Sequence, residues 1–449
     1  MTEIQLTNLP INGYDAGKLL NAPQVWYNYY RNWSEFAQKY GEANFEATMQ
    51  ALQTAFTPGA KKSIEDIQGS MRAAYGAKLS ERLNDETMTT SLASAVDSWA
   101  DVLNLMDHNQ ISRSYSDLLS FFSRQLEPFR DTVNRTPSEV IEMEGRFNLL
   151  HYKSKVEPKH KTPILVIYSL INRYYILDLL PENSVINNLL NQGFDIYATD
   201  WGTPMSYDKD LTLENYSEQY VGNAVKKIKE ITGADKVSLF GYCWGGLFTL
   251  VYSAMHPENV NALILHATPV DIQKGATIIE HWTSHLDADN LVKACGNVPG
   301  WILNAAFLLR NPVEAALKYP RYFSRPRTIE ETLEFFSIEA WLYDSPPIIG
   351  EVYREIVDQV YRQNLLIKNK MQVGGKNIDL SKVAMPVLDI VGKTDDLVPP
   401  QSSRSVIDVI GSKDKRLIEF PIGHVGLCTS QQAHEKLWPE VGKWLAQRS

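Results

Sequence analysis

From about residue 140 onwards the sequence predicts an α/β fold with a mostly parallel sheet, and three observations predict it. Short apolar runs bounded by turn residues recur at 164–168, 194–199, 237–240, 262–266, 387–391 and 416–420. Helical patterns lie between several of them, at about 183–192, 215–232 and 246–256. One run, Lys236–Phe240, passes through a glycine-rich stretch straight into a helical pattern at Leu247–Met255. Strands that alternate with helices belong in a parallel sheet covered on both faces.

Residues 1–140 read differently, as a helical N-terminal domain. Trp26, Tyr30, Trp33 and Tyr40 recur at roughly helical spacing. Further helical pattern runs through about 63–75, 87–106 and 112–132, with breaks at Thr57-Pro-Gly59 and Asp107-His-Asn109. The aromatic stripe reads as packing within that domain or as a docking face. Thr136-Pro-Ser138 marks the entry to a second domain, 141–449. Within it, about 272–383 is long, aromatic and mostly helical before the strand pattern resumes at 387, so it reads as a cap inserted over the strand ends.

The chain has 449 residues, 44% hydrophobic and 22% charged, the composition of a globular protein of two or three domains. A formal charge of -9 argues against a general nucleic-acid binder. The N-terminus lacks a basic start followed by an apolar run, and no segment has the uninterrupted apolar length of a membrane span. The three cysteines, Cys243, Cys295 and Cys428, form no disulfide framework. Cys295 reads as a small buried residue. A reducing cytoplasm suits a working thiol.

The stretch Phe240-Gly-Tyr-Cys-Trp-Gly-Gly246 has the form G-x-C-x-G between a strand and a helix. That is the nucleophile elbow of an α/β-hydrolase fold, with cysteine in place of serine. The turn strains residue 243, leaves no room for side chains at the glycines, and aims a helix N-terminus at the thiol, which favours a thiolate. An acid and then a histidine should follow in chain order. Gly392-Lys-Thr-Asp-Asp-Leu-Val-Pro399 follows the strand at 387–391, and Asp395 is assigned as the acid, with Asp396 the competitor. Pro421-Ile-Gly-His-Val-Gly426 follows the last strand and supplies His424. His266, His281 and His285 lack such context and read as structural. His424 would take the proton of Cys243, and Asp395 would orient the ring. The oxyanion donors expected are the backbone N–H groups of Trp244 and, after the first core strand, of Ile171 in the stretch Leu170–Asn172.

A thiol nucleophile suits thioester donors. Its attack on an oxygen ester would be uphill, whereas exchange with a thioester is near energy balance and keeps the acyl group activated for transfer to an alcohol. Neither a phosphate-loop pattern nor a metal-ligand spacing is present, so no cofactor and no metal are expected.

Taken together these residues resemble the polyhydroxyalkanoate synthases. The likeness rests on the elbow and on Ser169-Leu-Ile-Asn-Arg-Tyr-Tyr-Ile-Leu-Asp-Leu179, Gly193-Phe-Asp-Ile-Tyr-Ala-Thr-Asp-Trp-Gly202, Glu339-Ala-Trp-Leu-Tyr-Asp-Ser-Pro346 and Val373-Gly-Gly-Lys-Asn-Ile-Asp-Leu380, and it runs from about Thr136 to the C-terminus. The catalytic motifs look most like those of the two-subunit class, although the first 140 residues match neither class. The resemblance implies polymerisation of 3-hydroxyacyl-CoA into storage polyester, with Cys243, Asp395 and His424 as the triad. It also implies a homodimer at the surface of cytoplasmic polymer granules, a cap that opens and a possible second synthase subunit. In that family the aspartate is also given a role in activating the substrate hydroxyl, which the resemblance extends to Asp395. The competing readings are a cysteine thioesterase or hydrolase of the dienelactone hydrolase type, which would release free acid, and a non-catalytic granule scaffold, which would survive loss of Cys243.

Overall fold

The computed structural model describes residues 135–449, except 276, 278, 280–281, 284–285, 311–317 and 319–328. The expected N-terminal helices and the aromatic stripe from Trp26 to Tyr40 lie outside the described residues, as do His281 and His285.

An eight-stranded sheet organises the chain. Its strands are β1 (Ser138–Glu144), β2 (Phe147–Tyr152), β3 (Ile164–Ile167), β4 (Ile196–Asp200), β5 (Val237–Tyr242), β6 (Val260–His266), β9 (Val387–Gly392) and β10 (Lys415–Phe420), in the order β1-β2-β4-β3-β5-β6-β9-β10. A short hairpin, β7 (Gln372–Val373) and β8 (Lys376–Asn377), stands apart from it. From β4 to β10 all neighbours run parallel, and β1 and β2 add on antiparallel. β3, β5 and β9 are buried along their whole length, which is why they read as continuous apolar runs. The sequence reading missed β1 and β2. β1 (SEVIEME) lies at the sheet edge with most residues exposed or half-buried, so it carries charges rather than an apolar run.

Helices cover both faces. α1 (Val185–Asn191) starts at Ser184, whose Oγ accepts from the Asn187 N–H. α2 (Val221–Thr232) buries Val221, Ala224, Val225 and Ile228 at helical spacing and ends at Gly233, φ 69°. α3 (Trp244–Met255) follows the elbow and buries eleven of its twelve residues, Trp244 to Ala254. α2 and α3 share one core with the odd-numbered positions of β3 and β5, Leu165, Ile167, Val237 and Leu239. α1 and α8 (Trp438–Ala446) share the other with Ile164, Val166 and Phe240.

Between β6 and β9 lie α4 (Ala288–Cys295), α5 (Gly300–Arg310), α6 (Ile329–Leu342) and α7 (Gly350–Ile356), followed by a π-helical turn, Val357–Arg362. Val352, Ile356, Val360, Leu366 and Leu380 join the core that α3 belongs to. Cys295, at the end of α4, is exposed, which corrects its reading as a buried residue. α4 buries only Ala288, so its last turn faces water. Among the described residues no helix is long and apolar enough to cross a membrane.

Candidate active site

The chain reverses direction across the sheet at β3, with β4 on one side and β5 on the other. Such a switch leaves a crevice at the strand C-termini. Cys243 stands there, between β5 and α3, at φ 53° and ψ -122°. A non-glycine residue at this φ is strained, and its neighbours hold it in place. The Cys243 N–H donates to the His266 carbonyl and the Gly246 N–H to the Cys243 carbonyl, both at 2.9 Å. The glycines are required. A Cβ on Gly245 would stand 2.0 Å from the Ile167 carbonyl oxygen, and one on Gly246 would stand 1.9 Å from Thr268 Oγ1. Gly245→Ala is expected to cost about 3 kcal/mol, because the atom it meets is backbone of the central strand and cannot rotate away. A urea unfolding midpoint unchanged from the parent protein would contradict this.

His424 follows β10 and Asp395 follows β9, and the fold brings them together. His424 Nδ1 and Asp395 Oδ2 are 2.7 Å apart, and both side chains are buried. Asp395 Oδ1 accepts from the backbone N–H groups of Leu397 and Val398, each at 2.9 Å. Burial alone would push the imidazolium of His424 down. The charges of Asp395 and Cys243, with hydrogen bonding to both, outweigh it and hold the ring up to about 10. Cys243 therefore acts on the same ring as Asp395.

Asp396 points elsewhere. Its side chain is 61% exposed and pairs with Arg310 of α5, Nη1 to Oδ1 at 2.7 Å. Removing the charge should matter little, since an exposed pair is worth about 0–1 kcal/mol. Asp396→Asn is expected to keep near-parental turnover. A loss comparable to that of an Asp395 variant, measured in the same assay, would reverse the assignment.

Trp244 is the first residue of α3, so helix geometry leaves its N–H without an intrahelical acceptor. The Ile171 N–H donates to Ser169 Oγ at 3.1 Å and would have to exchange that bond for an oxyanion.

Sequence reasoning passed over the aromatic lining. Tyr242 lies against His424, ring centroids 5.1 Å apart, and stacks on Tyr168 at 5.6 Å. Burial, and then the nearby Cys428 and Cys243, push both phenols well above their usual range, so they remain neutral. His266 packs among Tyr242, Phe240 and Trp438. Burial, then the His424 charge, push its pKa well down, so it stays uncharged beside a charged neighbour. Tyr242 immediately precedes Cys243, and this adjacency was the available signal. The contacts of Tyr168 and His266 come only from the sheet register. Among the described residues no cluster of histidine, cysteine, aspartate or glutamate could hold a metal ion.

Residues 162–429 match the model of the α/β-hydrolase fold, and residues 79–189 match that of the poly-beta-hydroxybutyrate polymerase (PhaC) N-terminus. The chain is 38% identical to the poly(3-hydroxyalkanoate) polymerase subunit PhaC of Haloferax mediterranei, over 78% of this chain and 70% of that one. It is 39% identical to the subunit of the same name from Haloarcula marismortui, over 71% and 69%. For the one from Allochromatium vinosum the identity is 35%, over 70% and 89%. The extent of these matches, over a cysteine elbow on an α/β-hydrolase sheet, shows that the chain belongs to the poly(3-hydroxyalkanoate) polymerase PhaC family of acyltransferases.

Proposed function

We propose that this chain polymerises (R)-3-hydroxyacyl-CoA thioesters into polyester through an acyl group carried on Cys243, releasing CoA. The observation that carries the reading is a cysteine at a strained elbow whose histidine partner is clamped by a buried carboxylate. Cys243 Sγ attacks the thioester carbonyl, and its proton is held on His424. The C–S bond to CoA breaks, and His424 gives the proton to the departing sulfur. A ring held up to about 10 carries a proton to give at neutral pH. The backbone N–H groups of Trp244 and Ile171 receive the oxyanion. The 3-hydroxyl of the bound unit then attacks the next acyl-CoA carbonyl. A C–O bond forms, a second C–S bond to CoA breaks, and the hydroxyl proton leaves with the CoA thiol.

His424 is the base that fits both steps. Asp395 already accepts three hydrogen bonds, from Leu397, Val398 and His424, out of about four lone-pair sites. That leaves it little capacity for a substrate hydroxyl. The thioester supplies its own activation, so the cycle calls for no cofactor.

The same reading includes a homodimer, a possible second synthase subunit, a cytoplasmic setting at the polymer granule surface, a cap formed from about 272–383 and a helical domain over 1–140. The test is incubation of the purified protein, alone, with 3-hydroxybutyryl-CoA. CoA release with insoluble polyester is expected. CoA release with free 3-hydroxybutyrate alone would instead make the chain a thioesterase. Activity that appears only with a second subunit would assign it to an obligate pair.

A further inference from the structure

The loop after β3 and the C-terminal end of α6 hold each other by bonds that run both ways. Asn172 stands at φ 58°, a left-handed conformation that asparagine tolerates better than most residues. It is buried. Its Nδ2 reaches the carbonyls of Trp341 (3.2 Å) and Leu342 (2.9 Å) and the hydroxyl of Ser345 (2.7 Å). The two carbonyls are among the last four of α6, which the helix itself leaves without partners. In return, Trp341 Nε1 donates to the Arg173 carbonyl at 2.7 Å. The Arg173 guanidinium joins Asp344 of the insertion to Gly202 and Thr203 beyond β4. The Tyr175 hydroxyl donates to Asp344 Oδ2 at 2.8 Å, and the Ser345 hydroxyl donates to Asn304 on α5 at 2.7 Å.

The foot of the same loop is fixed to the sheet and the elbow. The Tyr168 N–H donates to Thr199 Oγ1 at 3.1 Å, and the Tyr168 carbonyl accepts from Trp201 Nε1 at 2.8 Å. Gly245, two residues past the nucleophile, packs directly on the Ile167 carbonyl. Ile171 lies between foot and crown, next to Asn172.

We propose that Asn172 is a positioning residue: by capping α6 it holds the Leu170–Asn172 loop in register with the elbow, so that the Ile171 N–H, on exchanging its bond to Ser169 Oγ, meets the oxyanion. This rests on reading Cys243 as the nucleophile and the loop as an oxyanion donor.

Asn172→Asp keeps the side-chain shape but sets an acceptor against two carbonyls, and Ser345→Ala is a milder cut in the same network. In the full chain with 3-hydroxybutyryl-CoA, Asn172→Asp is expected to lower kcat for CoA release about 10²-fold, with KM little changed. The rate of alkylation of Cys243 by iodoacetamide, followed on the Cys243 peptide, needs no oxyanion donor and is expected to match the parent. Ser345→Ala should shift kcat in the same direction by less. Unchanged kcat in both variants would overturn the proposal. So would Asn172→Asp and Ser345→Ala losing alkylation and turnover in parallel, the mark of a merely structural role. A parent protein whose Cys243 is alkylated but never acylated would instead sink the nucleophile reading on which the proposal rests.

Discussion

Cys243→Ala is expected to abolish CoA release from 3-hydroxyacyl-CoA, a loss on the order of 10⁶-fold by comparison with removal of a nucleophile from other triads. The reason lies in the elbow. Position 243 sets a side chain at the C-terminal edge of the sheet, beside a ring held by Asp395. Alanine there keeps the turn and removes only the reacting atom, so the folded protein should be recovered with a similar unfolding midpoint. Cys243→Ser is the more instructive variant. It keeps a nucleophile, but acylation would convert a thioester into a more stable oxygen ester. Turnover should fall steeply, with the acyl group retained on the serine rather than passed on. A Cys243→Ser enzyme that forms polymer at the parental rate would remove the chemical argument for a thiol.

Asp395→Asn should lower kcat by about 10⁴-fold, because the amide neither fixes the productive tautomer of His424 nor stabilises its charged form. The same change should leave a signature in stability against pH. The folded pKa of His424 is raised from 6.5 to about 10. A raised pKa contributes stability that is fully present below the unfolded value and fades as pH rises through the folded one. Removing the Asp395 charge lowers the folded value. The parent protein's stability advantage over Asp395→Asn should therefore be largest below about 6.5 and shrink steadily towards pH 10, as read by urea unfolding across that window. An advantage that grows with pH would mean that His424 is held neutral instead.

The strands most legible in the sequence were the ones buried on both faces. Ile164–Ile167, Val237–Tyr242 and Val387–Gly392 read as apolar runs because nothing in them faces water. β1 escaped notice because it pairs at the edge with a charged face outward. The elbow was legible because a sharp strand-to-helix turn needs glycine at fixed positions, and each glycine meets backbone or a buried side chain. Asp395 and His424 could be named from chain order, since each follows a strand at the same end of the sheet. Position after the strand favoured Asp395 over its neighbour Asp396, but the physical ground for the choice is not in the spacing. It depends on which carboxylate turns inward to His424 and which turns out to Arg310. The bonds between Asn172 and the end of α6 join residues 169 to 173 positions apart, and local pattern carries no trace of them.

The most direct measurement is intact-protein mass spectrometry after rapid quench of a single turnover with 3-hydroxybutyryl-CoA, followed by peptide mapping. One 3-hydroxybutyryl group on the peptide that contains Cys243, formed as fast as CoA appears and absent from Cys243→Ala, is the expected result. CoA released at that rate with Cys243 unmodified throughout, or the acyl group found first on Cys295 or Cys428, would contradict the role given to Cys243.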